Sequence, residues 1–572
     1  MSKKSNNTNN IKREIATRAY TNERTILGKK KVQVSFMDQF VLRATKLKSE
    51  KHLLAKASNL RKVFTGLDLV LLGLGGIVGA GVFVLTGMAA RNYAGPAVVL
   101  SYLIALLASL ITALSYSEFA TCIPTSGSAY NFISITFGEL FAYITGWNLV
   151  IELTVGGAAV ARGFTSYFAT LVGLKPPDLR IRVIEGVIEL DFLALLLVTL
   201  VSILIIGGVE QTKKFQYIAL SVCLSAIFFV LAVGSTEVKI ENYTPFVPPE
   251  FGWKGVMSAA SVVFFAFIGF DTVATMAEET IEPCRNLPIG ILGSLAISGF
   301  LYCSMAAVIT GMVPYDEINI DAPFSTVFYT TGHDWAAVAV SSGAVLCIVT
   351  SCLACLLSQP RVYLAMARDG LLPGIIAELH PTLGTPVYAS LLTWALTGFL
   401  TFLFDINILA QMVSIGTLAI FCGVNLALLV RRYTPKEVSF DDFDTRVPVL
   451  MRAVYLLMSC FILSYSLHYG LALWIKITSG IALVLCTYSF YALGEFLNAP
   501  TEKQFKTPLV PLIPILGVLA TSQLIVCLGS LALIRFSLVS LASLVSYLCI
   551  DYVRCCSPHL NEEIDGEKNI KD

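Results

Sequence analysis

Apolar segments recur at steady intervals from residue 67 to residue 553, separated by short polar connections. Fourteen can be placed, at about 67–90, 96–122, 138–170, 191–208, 215–235, 253–278, 288–312 and 336–366, then 386–404, 408–430, 452–470, 475–495, 511–531 and 537–553. About 20 apolar residues in a helix cross a bilayer. Only helices or closed barrels satisfy every backbone group in lipid. The pattern therefore predicts an all-α, polytopic membrane protein.

Two of these spans are interrupted. Span 1, LDLVLLGLGGIVGAGVFVLTGM, carries Gly73, Gly75, Gly76, Gly79, Gly81 and Gly87. Each glycine in a helix interior costs roughly 1 kcal/mol relative to alanine. The cluster Gly79-Ala80-Gly81 predicts a helix that breaks in mid-membrane, with free N–H groups that suit an anion such as a carboxylate. The competing reading is a small-residue packing face, which Gly75 and Gly79 fit. Span 6, SVVFFAFIGFDTVATMAEET, has Gly269 beside Phe270-Asp271 at its centre. Spans 1 and 6 each open a run of five. Matching interruptions in two five-helix halves of opposite orientation point to an inverted-repeat transporter with its site at the midplane.

Composition agrees. The 572 residues are 56% hydrophobic and 14% charged, with a mean hydropathy of +0.74, whereas soluble domains carry about 25% charged residues. The net charge of +1 points to no partner, and no nucleic acid is expected. Residues 1–62 are rich in Lys and Arg, which by the positive-inside rule puts the N-terminus in the cytoplasm. Lys213, Arg285, Arg368, Arg431, Arg432 and Lys503 then fall on cytoplasmic loops, and an even number of spans returns the C-terminus to the same side. Residues 36–56 could form a basic amphipathic helix on the inner membrane surface or a solvated charged helix. The sequon Asn242-Tyr243-Thr244 falls outside. The outer loops hold no cysteine, so no extracellular disulfide framework is implied. No HExxH or Walker loop is present, so no metal, no cofactor and no enzyme activity are expected.

Three acidic groups lie within spans, where burial is expensive and usually functional. Glu118 sits near the inner end of span 2 and reads as a gating group or a helix lock. Glu152 in span 3 and Asp271 in span 6 read as partners of a substrate or proton, or as buried pairs. Among the aromatics of span 6, a ring beside the interruption could cap a bound side chain.

GLGGIVGAGVFVLTG, SYSEFA…P…GSAYNF, GELFAYITGWNLVIE, FFAFIGFDTVATMAEET with NLPIGI, and QPRVYLAMARDGLLP occur in order. Together they resemble the cationic amino acid transporters of the amino acid–polyamine–organocation superfamily over about residues 36–556. The resemblance implies a LeuT-type bundle of five-plus-five inverted repeats with four extra C-terminal spans. It implies a substrate carboxylate on the amides of Gly79, Ala80 and Gly81. The substrate ammonium would meet carbonyls near Ile77, Phe265 and Ile268, with Phe265 as a lid. Glu152 and Asp271 match acidic positions near the pocket, Glu118 an acidic position needed for transport, and Thr350 and Ser351 polar positions on span 8. Cys355 matches a position bordering the side-chain pocket, where a small residue leaves room for a long chain. Span 5 has no lysine to stand in for a sodium ion, so proton coupling is left open.

The expected organisation is a basic tail at 1–60, a ten-helix transport core at 61–435, four additional helices at 436–556 and a C-terminal tail at 557–572. The expected function is a permease or exchanger for cationic amino acids, with a neutral or broad-range carrier, or a sensor, as the alternative. The plasma membrane is the default location, with a vacuolar or other internal membrane as the alternative.

Overall fold

A computed structural model describes residues 62–556 except 175, 185–187, 321, 382–383, 405, 435–442 and 495–497, together with residues 40, 43–48, 50 and 53–54. Most of the tail expected at 1–60 and all of that at 557–572 lie outside the described residues.

The first half of the core holds α1 (Gly66–Ile77), α2 (Ala80–Phe83), α3 (Leu85–Ala89), α4 (Val98–Cys122), α5 (Ala129–Thr136) and α6 (Glu139–Val172). A two-stranded antiparallel hairpin follows, β1 (Ile181–Ile184) and β2 (Ile188–Leu190), then α7 (Phe192–Ile206) and α8 (Val209–Thr236). The second half holds α9 (Gly252–Val263), α10 (Phe270–Thr275), α11 (Pro283–Met312), α12 (Pro323–Thr330), α13 (Asp334–Arg368), α14 (Val387–Leu403) and α15 (Ile406–Arg432). Four more helices follow among the described residues: α16 (Phe443–Tyr469), α17 (Leu473–Tyr491), α18 (Leu512–Cys527) and α19 (Ser530–Cys556).

Eleven helical stretches among the described residues are long and apolar enough to cross a membrane, and α7, α14 and α18 are shorter apolar helices. Together they account for the fourteen expected spans in a LeuT-type helical bundle. The hairpin replaces what the sequence presents as a plain loop, and it is the one sheet among the described residues.

Burial separates the centre from the rim. The most apolar stretches of α6 and α13 are each 78% buried, against 17% for α17 and 11% for α19. The buried faces of α6 and α13 are full of Gly, Ala, Ser and Thr, which lets backbones approach closely where lipid supplies no hydrophobic drive. These two helices pack on each other as the central pair.

Local signals set the helix ends. Thr65 and Asp68 form a reciprocal capping box that starts α1, with the Thr65 N–H donating to Asp68 Oδ2 at 2.8 Å. Asp191 caps α7 by accepting from the Ala194 N–H at 2.9 Å.

The end of the bundle that carries the first and last described residues, the termini end, is laced with ion pairs. Arg361 meets Glu279 at 2.7 Å, Arg368 meets Glu278 at 3.0 Å and Lys213 meets Asp68 at 2.5 Å. The described part of 36–56 docks on the protein itself. Lys48 pairs with Asp369 at the end of α13, Glu50 with Arg431 at 3.0 Å, and Phe40 meets the Tyr547 ring. At the opposite end, buried Arg162 donates to the Glu189 carbonyl, and Arg180 pairs with Asp191 at 3.2 Å, pinning the hairpin to α6 and α7.

One covalent link runs inside the bundle: Cys223 of α8 is joined to Cys347 of α13. The sequence shows no outer-loop cysteine and gives no signal for this pairing, because both residues sit within apolar spans.

Candidate functional site

Span 1 breaks where the glycine run predicts. α1 ends at Ile77, Val78 is extended with φ −76° and ψ 104°, and α2 starts at Ala80. The first N–H groups of a helix have no partner within it. Gly79, Ala80, Gly81 and Val82 donate no backbone hydrogen bond outside helices among the described residues.

Span 6 breaks at Ile268, which is extended, and Gly269, which has φ +128°. That φ is strained for any residue with a side chain. The two breaks touch backbone to backbone. A Cβ on Gly269 would lie 2.9 Å from the Gly76 carbonyl carbon, and one on Gly81 would lie 2.5 Å from the Ala266 Cα. The glycines are thus required by a crossing of two interrupted helices. The packing-face reading also has substance: a Cβ on Gly75 would strike Gln216, and one on Gly79 would strike Ser351.

A cavity of about 380 Å³ sits at this crossing. Span 1 contributes Gly76, Ile77 and Gly81 to its walls, and the second break contributes Phe265 and Ile268. α6 supplies Glu152, Leu153, Gly156 and Val160, and α13 supplies Ser351 and Cys355. Seven of the eleven residues expected at a substrate site therefore line one space.

The other four do not line it. Gly79 packs under Ser351, and Ala80 opens α2. Thr350 donates to the carbonyl of Cys347 in its own helix at 2.8 Å. Asp271 turns back to accept from the Gly269 N–H at 3.1 Å, so it holds the break in shape rather than facing the cavity. Glu118 is remote from the cavity. It is fully buried at the termini end, bidentate to Arg432 at 2.7 and 2.8 Å, and accepts from the Thr507 N–H at 2.8 Å.

The Ile77 carbonyl, expected to meet the substrate ammonium, already accepts one hydrogen bond. Tyr302 of α11 donates to that carbonyl at 2.7 Å and to the Ala266 carbonyl at 3.2 Å. A fully buried phenol must find an acceptor, and the two breaks expose acceptors in its path. Ser351 likewise donates to the Gly76 carbonyl at 3.0 Å. Tyr302 was not singled out from the sequence, where the only hint is a tyrosine in an otherwise apolar span.

Glu152 is the charged group of the cavity. It is 3% exposed, and neither carboxylate oxygen makes a hydrogen bond of ordinary geometry among the described residues. A buried carboxylate without a cation is costly, so the site suits a positively charged group. Cys355 faces the same cavity as a free thiol, spaced as a CxxC with Cys352 along one helix. No cluster of three or more metal-ligating side chains exists among the described residues. The arrangement offers free amides for an anion, a carboxylate for a cation and a small-residue wall between them.

Comparison with known proteins agrees with this chemistry. Residues 64–470 match the amino acid permease family, and residues 505–554 match the C-terminal region of such permeases. Cationic amino acid transporter 5 of Arabidopsis thaliana is 36% identical over 501 residues, covering 86% of each chain. Cationic amino acid transporter 1 of the same plant is 39% identical over 402 residues, 70% of this chain and 67% of its own. The branched-chain amino acid permease BcaP of Bacillus subtilis is 37% identical over 415 residues, 70% of this chain and 88% of its own. Broken helices meeting at a buried cavity, with the family match over most of the chain, identify an integral membrane amino acid permease rather than an enzyme, and the chain belongs to the cationic amino acid transporter family of the amino acid–polyamine–organocation superfamily.

Proposed function

We propose that the protein carries cationic amino acids such as arginine, lysine, ornithine and histidine by alternating access. The substrate carboxylate meets the free amides at Gly79–Gly81, and the side chain extends along α6 past Gly156. The observation that carries this reading is Glu152, a buried cavity carboxylate with no ion-pair partner among the described residues. A cationic side chain turns an expensive buried charge into a pair. Phe265 closes the site from the span 6 side. Rocking of the two broken spans against the scaffold around α6 and α13 opens the site to each face in turn.

The termini end is the cytoplasmic face in this reading. Its support is the positive-inside bias of the sequence. The plasma membrane is the proposed location, to be checked by fluorescence of a tagged protein against plasma-membrane and vacuolar markers.

The test is uptake by purified protein in liposomes, with labelled arginine outside and arginine, lysine, leucine or no amino acid inside. Internal lysine, but not leucine, is expected to accelerate entry, and Glu152→Gln is expected to weaken arginine transport more than leucine transport. Entry of leucine without arginine would overturn the cationic reading and leave a neutral permease. A proton gradient added in one arm reads the coupling mode.

A further inference from the structure

A second cavity, of about 290 Å³, opens between α1 and α8 toward the termini end. Asp68 and Phe64 form one wall, Lys213, Gln216 and Tyr217 the other, and Leu357 of α13 the floor.

Two features distinguish it from a packing gap. The first is a charge pair. The Lys213 ammonium donates to Asp68 Oδ2 at 2.5 Å and to the Val63 carbonyl at 3.2 Å, with the Phe64 and Tyr217 rings 6.0 and 5.8 Å away. The second is Gln216. It is 4% exposed, and neither its Oε1 nor its Nε2 has a hydrogen-bond partner among the described residues. A buried amide with both ends unmet is a standing cost that a leucine of similar size would avoid. Gln216 also sits on the path between the two cavities. Its Nε2 presses on Gly75, where a Cβ would lie 1.7 Å from it, and the next residue, Gly76, lines the central cavity.

We propose that this second cavity is an amino-acid binding site on the route between the central cavity and the termini end. The substrate carboxylate pairs with Lys213, its ammonium pairs with Asp68, and the Gln216 amide bonds the zwitterion as it passes. In the absence of substrate the two charged side chains neutralise each other. When a zwitterion enters, each exchanges one partner for another, so no buried charge is left single. The proposal rests on the permease reading. It adds a site that recognises the amino-acid backbone and not the side chain.

The test is two-sided kinetics in sealed vesicles of both orientations, with labelled arginine and labelled leucine. Wild-type transport of arginine from both faces checks the permease reading independently of the second site. Gln216→Leu is expected to raise KM from the termini face about tenfold or more, the loss for one hydrogen bond to a charged group. The KM from the opposite face should stay unchanged. The charge-free pair Asp68→Asn with Lys213→Gln is expected to raise the same one-sided KM about tenfold or more, as for bonds to charged groups. Both effects should be equal for arginine and leucine wherever leucine is carried. Equal shifts at the two faces, or none at either, would overturn the site and leave Gln216 a packing residue. Gln216→Met, unbranched and amide-free, gives the same reading should the leucine variant not fold.

Discussion

Single atoms decide most at Gly269 and Tyr302. Gly269 has a left-handed φ and lies against the Gly76 backbone, so even alanine there meets both strain and a clash. Strain of this kind costs about 1–3 kcal/mol per residue. Gly269→Ala is expected to lower the thermal midpoint of purified protein and to reduce uptake, while Gly269→Ser offers no relief. Gly79→Val tests the other break. A valine Cβ there would sit 2.3 Å from the Ser351 Cβ, so substrate binding measured by scintillation proximity should be lost even where protein reaches the membrane. Unchanged affinity in that variant would return the glycine run to a packing role. Tyr302→Phe removes the side-chain donor to the Ile77 carbonyl, leaving a buried acceptor unmet at about 1–3 kcal/mol. The expected result is a larger loss of turnover than of expression.

At the scale of helices, the ion pairs of the termini end divide by what they join. Arg361–Glu279 and Arg368–Glu278 tie α13 to the end of span 6, which must move in any rocking mechanism. Glu118–Arg432 ties α4 to α15 and, through the Thr507 N–H, to the segment leading into α18. Removing one member of a buried pair costs roughly 3–5 kcal/mol because the other charge is stranded. Glu118→Gln is therefore expected to lower both stability and transport, and pairing it with Arg432→Gln should restore stability first. A double variant that regains full stability without uptake would assign Glu118 to gating; one that regains both would make it a helix lock. The helices themselves were legible in advance, because length and apolarity fix a membrane span. The breaks were legible too, since Gly79 and Gly269 are costly unless used. Tyr302, Gln216 and the Cys223–Cys347 link were not. Each takes its meaning from a partner on another helix, such as the 225 residues between Tyr302 and Ile77, and no periodicity carries that distance.

Across the whole molecule, the chain builds a dense centre and a lipid-facing rim. α16, α17 and α19 bury little, while α6 and α13 bury most of their apolar stretch. The site was legible to the extent that it depends on the centre: seven expected residues share one cavity. Asp271 and Thr350 do not line it, because sequence position places a residue on a helix but does not turn its side chain. The strap formed by Lys48 and Glu50 lay beyond sequence reasoning for the same reason as Tyr302. Its partners lie 321 and 381 residues downstream. That separation has a consequence for biosynthesis. At about 5–20 residues per second, the ribosome needs roughly 15–60 s after making Lys48 before Asp369 exists to receive it. A segment made early is thus fastened only later, and its docking reports that α13 and α15 have been made.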